Sequence, residues 1–182
     1  MKNQTVVSGQ ADLRRTYAID PGQAISKKRV RTEERPTTDA LHGTVAMERF
    51  PGVSWDYGID SKVGGLDDLP NPGHLLCAAL AACMDSTIRM IAGHLGVGIE
   101  RLEVDVEGDV DVRGCMAMDN AVRPGFRGLD CTVRLQPVAG ADPQRVRILV
   151  AQAERLCVTL DTLRNGVPVT VSSNVEGDRA SA

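Results

Sequence analysis

The clearest periodic signal in the chain is a two-residue alternation. Leu102, Val104, Val106, Gly108, Val110 and Val112 fall on one side, and Glu103, Asp105, Glu107, Asp109 and Asp111 on the other. Successive side chains of a strand point to opposite faces, so this segment reads as a half-buried strand. A second run places Leu129, Cys131, Val133 and Leu135 inward and Asp130, Thr132, Arg134 and Gln136 outward. The two are expected to pair antiparallel, with Arg134 facing the acidic row. Between them, RGCMAMDNAVRPGFRG reads as a mobile loop turning at Pro124-Gly125. Upstream, Leu75 to Met84 are ten apolar residues in succession, so a helix there has no polar face and is expected to be buried on all sides. It starts with Asn71 as N-cap and Pro72 at the first helical position, and it stops at Gly96.

Shorter signals flank these elements. HGTVAMERF and GVSWDYGID predict two strands of a hairpin turning near Pro51-Gly52. Asp142-Pro143 opens an amphipathic helix that puts Val146, Leu149, Val150 and Ala153 on one stripe, with Arg145, Gln152 and Arg155 away from it. Cys157 ends that helix, Thr159 can cap a shorter one through LDTLRNG, VPVTVSSNV reads as a strand that closes the sheet, and EGDRASA reads as a frayed tail. Strands, a buried helix, strands, a helix and a strand make an α+β order and not an α/β one.

Residues 1–40 show no sustained periodicity, and SKKRVRTEERP mixes both charge signs, so they read as a solvated N-terminal extension, mobile or loosely docked. Residues 41–175 then form the single domain and 176–182 a flexible tail. With 21 Lys and Arg against 24 Asp and Glu, the net charge of −3 fits neither a nucleic-acid binder nor a disordered chain. One Trp, two Tyr and two Phe provide no stacking platform for single strands, which again argues against nucleic acid. No apolar run approaches the ~18–20 residues of a membrane span and MKNQTVVSGQ has no signal-peptide core, so a soluble, cytoplasmic protein without a membrane partner is expected.

Five cysteines are too few and odd in number for a secreted disulfide scaffold, and no Cys-x-x-Cys pair suggests structural zinc. Any thiol that matters is there for reactivity. Cys131 lies in an inward row and reads as packing, and Cys115 reads as an exposed loop thiol. Cys77 and Cys83 are six residues apart, about 240° around a helix at ~100° per residue, so a bridge from Cys83 needs a distant partner. Cys157 is the thiol best placed to reach the central helix. A reactive cysteine is a thiolate, stabilised by a helix N-terminus or a cation. Cys83 lies about eleven residues into its helix, beyond the first turn, so a cation from elsewhere is expected.

The segment GGLDDLPNPGHLLCAALAACMDSTIRMIAGHLGVGIERLEVDVEGDVD resembles the signature region of the OsmC/Ohr family, with its Gly-Gly turn, Ala-Ala-Leu-Ala-Ala-Cys helix and hydrophobic–acidic strand. The resemblance continues through AERLCVTLDTLRNGVPVTV and spans residues 41–175. It implies an OsmC-like fold, with antiparallel sheets wrapped around the central helix in an intertwined homodimer whose sites lie at the subunit interface. It also implies a thiol-dependent peroxidase of organic hydroperoxides or hydrogen peroxide. Cys83 would attack the peroxide and Cys157 would resolve the sulfenic acid. A small dithiol or lipoylated protein would be the reductant, without a metal or flavin cofactor.

An oxygen leaving group must be stabilised as the O–O bond breaks, a task suited to arginine. In the family that Arg comes from the N-terminal hairpin, which points to Arg49 first and Arg35 second. The family's Glu after the helix-starting Pro is replaced by Gly73, followed by His74; Asp67 or Asp68 could stand in for the carboxylate and His74 could donate a proton. Loss of that Glu favours an alternative, a dimer of the same fold without peroxidase activity that binds a small apolar ligand at its interface. Metal binding through His42, His74 and His94 has no ligand spacing to support it.

Overall fold

The structure, a computed structural model, describes residues 2–34 and 38–174. In chain order the elements are α1 (Lys2–Ile19), β1 (Val30–Thr32), β2 (Gly43–Met47), β3 (Ser54–Tyr57), α2 (Pro72–Leu95), β4 (Ile99–Val110), α3 (Val112–Cys115), β5 (Phe126–Pro137), α4 (Pro143–Leu156) and α5 (Val158–Asn165). They form a mixed α+β arrangement with two small antiparallel sheets, one ordered β1-β2-β3 and one made of β4 and β5.

The ends of α2 follow from its capping residues. Asn71 Oδ1 accepts the His74 N–H at 3.1 Å, and His74 Nδ1 accepts the Asn71 N–H at 3.3 Å, so two first-turn donors are satisfied reciprocally. At the other end Gly96 takes a left-handed conformation, φ 64°, that an L side chain disfavours. Leu80, Met84, Ile88, Ile91 and Ala92 of α2 meet Leu149 and Ala153 of α4 and the fully buried Cys157 in the core. The inward row of β4 and β5 packs on this cluster. The opposite side of α2 is different: Ala78, Ala79, Ala82 and Ser86 are exposed. The expectation of burial on all sides is therefore not met within one chain, because the sheet, α4 and α5 cover only part of the helix. By length and composition α2 could cross a membrane, with a mean hydropathy of 1.6 over its most apolar window, yet its apolar stripe is the one that packs on α4 and the sheet.

The β4–β5 pairing has the expected phase, with Glu103 opposite Arg134, Val104 opposite Val133 and Val106 opposite Cys131. Arg134 reaches Glu103 at 3.4 Å and Asp105 at 3.8 Å. The segment read as a loop between them contains α3, whose first turn is capped by Asp111 through the Arg113 N–H at 3.2 Å. The hairpin of β2 and β3 turns at Pro51-Gly52, with Gly52 at φ 81°.

Two segments depart from the sequence reading. The first 34 residues carry a helix and a strand that their pattern does not predict. The apolar residues of α1 do not fall on one stripe, and α1 is fastened to α2 by Gln10, whose amide nitrogen donates to Met90 Sδ at 2.8 Å and whose amide oxygen meets His94 Nε2. β1 pairs with β2, so the sheet extends across the boundary expected at residue 40. At the other end, the strand expected at VPVTVSSNV is not formed over 167–174. Val167, Val169 and Val171 are 58%, 79% and 88% exposed, because among the described residues no strand lies alongside to complete a ladder. Val175 and the predicted tail at 176–182 lie outside the described residues.

Candidate active site: the Cys83 and Cys157 pair

Cys157 is both the end of α4, where its N–H bonds the Ala153 carbonyl at 3.0 Å, and the N-cap residue of α5. This corrects the expectation that Thr159 caps α5; Thr159 is the second residue of the helix. The Cys157 side chain makes no capping hydrogen bond. The Thr159 N–H points across to α2 and donates to Cys83 Sγ at 3.5 Å. One turn beyond Cys83 on α2 lies Thr87, buried to 6% exposure, whose hydroxyl helps hold the Cys83 pKa down. The Cys157 thiol completes the surroundings, and the two thiols influence each other's ionisation. Two sulfurs 74 residues apart in sequence thus share one spot.

Their environments push them in opposite directions. Burial acts to raise the Cys83 pKa, but the hydrogen bonds from the Thr159 hydroxyl and N–H, the Cys157 thiol and the Thr87 hydroxyl carry it below the usual thiol value of 9.0. Burial pushes the Cys157 thiol up, and the neighbouring Cys83 adds to the rise. Cys77 and Cys131 are also raised by burial, and Cys115 is exposed with its thiol turned to the Val112 carbonyl at 3.2 Å. Cys83 is therefore the thiol that the fold favours as an anion over Cys77, Cys131 and Cys157.

The remaining sequence candidates lie elsewhere. Arg49 is exposed in the β2–β3 turn, and no guanidinium is among the leading influences on Cys83. Arg35 lies outside the described residues. Asp67 bonds Ser61, and Asp68 accepts from His42 Nε2 at 3.1 Å, so neither acid stands in for the missing Glu at Cys83. His74 closes the α2 capping box and His94 holds Gln10. Gly73 has a steric reason: a Cβ there would lie 3.3 Å from Phe126 Cζ and 3.0 Å from the Asn71 capping oxygen. The sequence pattern marks Thr159 only as a helix cap and does not mark Thr87; the signal for Thr87 is its one-turn spacing from Cys83. Beside the pair, an open groove of about 860 Å³ runs between α2, β5 and α5, lined chiefly by Leu76, Leu80, Met84, Phe126, Leu129 and Leu160.

The family model described as OsmC-like protein matches residues 65–172, more than half the chain and both cysteines. The chain belongs to the OsmC-like family. The match excludes α1 and the β1–β3 sheet, and with them Arg49. A solved OsmC-like protein from Mycoplasma pneumoniae is similar at a TM-score of 0.60 and 14% identity, over 78% of this chain and 89% of that one. An organic hydroperoxide resistance protein OsmC from Legionella pneumophila is similar at 0.57 and 20%, over 77% and 90%. An organic hydroperoxide resistance protein from Elizabethkingia anophelis is similar at 0.56 and 18%, over 78% and 91%. At such identities the likeness carries the OsmC-like fold alone. A search of curated proteins gives no match.

Proposed function

We propose that this OsmC-like protein is a thiol-dependent peroxidase that reduces organic hydroperoxides with Cys83 and Cys157. The observation that carries the reading is the meeting of those two sulfurs with opposed pKa shifts, one favoured as the nucleophile and one kept as the protonated thiol. The Cys83 thiolate attacks the terminal oxygen of the hydroperoxide, the O–O bond breaks, and the alkoxide takes a proton and leaves as the alcohol. Cys83 is then a sulfenic acid. Cys157 attacks its sulfur, the S–S bond forms, and hydroxide leaves with the Cys157 proton as water. A small dithiol or lipoylated protein returns two electrons by thiol–disulfide exchange. Arg49 is the proposed cation for the leaving oxygen.

Homodimerisation belongs to the same proposal. Its support is surface that one chain leaves open: the Ala78–Ala82 side of α2 and the unpaired Val167–Val171 segment. A cytoplasmic location, where dithiol reductants operate, is proposed with it. The test is mass spectrometry after one equivalent of cumene hydroperoxide. Loss of two hydrogens and a Cys83–Cys157 linked peptide are expected; a protein that consumes no peroxide and keeps both thiols ends the proposal. The apolar groove favours a second reading, binding of a small apolar ligand without turnover. Cys83→Ser abolishes peroxide consumption under the first reading and leaves ligand binding intact under the second.

A further inference from the structure

Cys83 lies mid-helix on α2, too deep for the N-terminus of its own helix to act on it. The helix end that does reach it belongs to α5. The first N–H groups of any helix lack intrahelical acceptors, and in α5 the N-cap side chain of Cys157 does not supply one. The Cys83 sulfur does, accepting the Thr159 N–H at 3.5 Å. The hydroxyls of Thr159 on α5 and of Thr87 on α2 act on the same sulfur to favour its anion, and Thr87, one turn from Cys83, is one of two buried polar residues among the described residues. This arrangement is the usual capping relation with the acceptor supplied by a different helix. A sulfur held there as an anion gains more from each donor than a thiol does.

We propose that Thr159 and Thr87 are positioning residues that hold Cys83 as the thiolate, so that the nucleophile is prepared within one chain before any arginine is engaged. The proposal rests on the peroxidase reading and adds to it a division of tasks: hydroxyls and the α5 N-terminus keep the anion, and a guanidinium serves the departing oxygen. The titratable group facing Cys83 is Cys157. Three acids on the surrounding helices, Asp85, Asp161 and Glu154, each have a polar partner. Asp85 is held by Arg89 at 2.8 Å, Asp161 accepts from Asn165 at 2.8 Å, and Glu154 pairs with Arg164 at 2.9 Å.

The test is peptide-resolved alkylation of the full reduced chain with iodoacetamide across pH, with Cys115 as the internal control. Alkylation at neutral pH follows the thiolate fraction, so Thr159→Val should slow Cys83 about tenfold, the effect of removing one hydrogen bond to a charged group. Thr87→Val should slow it in the same direction, Thr159→Ser should restore the native profile, and Cys115 should not move. Unchanged Cys83 profiles in both valine variants overturn the proposal, as does a profile displaced by Arg49→Ala and by neither threonine change. Hydroperoxide oxidation of the same samples separates the two readings. A displaced profile without oxidation retains the thiolate contacts and removes the peroxidase; oxidation with undisplaced profiles does the reverse.

Discussion

Oxidation of the pair should change stability in a direction and by an amount that the structure fixes. A Cys83–Cys157 bond closes a loop of 74 residues, and restricting the unfolded chain over that length is worth about 4.5 kcal/mol. Against it stand the contacts that Cys83 gives up as the sulfur turns toward Cys157, chiefly those with Thr159 and Thr87, at about 1 kcal/mol each. About 2 to 3 kcal/mol remains in favour of the oxidised form, equivalent to a rise in melting temperature of roughly 5 to 10 °C for a chain of this size. The assay is differential scanning calorimetry at one protein concentration, before and after one equivalent of hydroperoxide, since self-association would otherwise shift the midpoint. The Cys157→Ser protein should show no rise. A native protein that forms the disulfide yet melts at or below its reduced temperature would refute the argument, because it would mean the sulfurs meet only by straining the α4–α5 junction.

Three further outcomes are expected. Leu149 is fully buried between α4 and α2, so Leu149→Ala should cost about 2 to 5 kcal/mol in urea unfolding, whereas Val150→Ala, at a 39% exposed position, should cost under about 1 kcal/mol. The His42 ring is held by Asp39 and then Asp68, which raises its pKa above the ordinary 6.5, and the same contact lowers Asp39 below its ordinary 3.8. Stability from His42 is thus full below about pH 6.5 and disappears as pH rises through the elevated value, while the Asp39 part disappears only as pH falls through its lowered one. The melting temperature of His42→Asn should therefore converge on that of the native protein at alkaline pH and fall short of it near pH 5.5; parallel curves would count against the contact. Val169→Asp, on the exposed C-terminal segment, should leave the fold intact and shift sedimentation toward the mass of one chain at micromolar concentration. An unaltered dimer would remove that segment from the interface.

What could be read from the chain divides along the range of the interactions that decide it. β4, β5, α2 and α4 are set by local periods and end signals: the Val/acid alternation, the Asn71-Pro72 and Asp142-Pro143 starts and the Gly96 stop all reappear in the structure. α1 was not legible because Val6, Leu13 and Ile19 are exposed and the hydrogen bonds described between it and α2 are made by the polar Gln10. The failure at 167–174 is of the opposite kind. The alternation of valines is a genuine strand pattern, but a strand exists only against a neighbour, and local sequence does not state which chain supplies it.

The site shows the same division more sharply. Its place at the junction of two helical segments made Cys157 the thiol best placed to reach α2, and the family resemblance named the pair; the first follows from the helix signals and the second from motif. The expectation of a cation beside Cys83 rested on a correct premise, that α2 cannot act on a residue eleven positions from its start. It left out that another helix could present its own N-terminus. α5 can do so because Cys157 occupies both the end of α4 and the start of α5, so the bend that exposes the Thr159 N–H also brings the second sulfur to the first. In the proposed mechanism, placing the resolving thiol and polarising the attacking one are therefore a single structural event. A change that straightens the α4–α5 junction should remove both properties together, with the alkylation profile and disulfide formation lost in step.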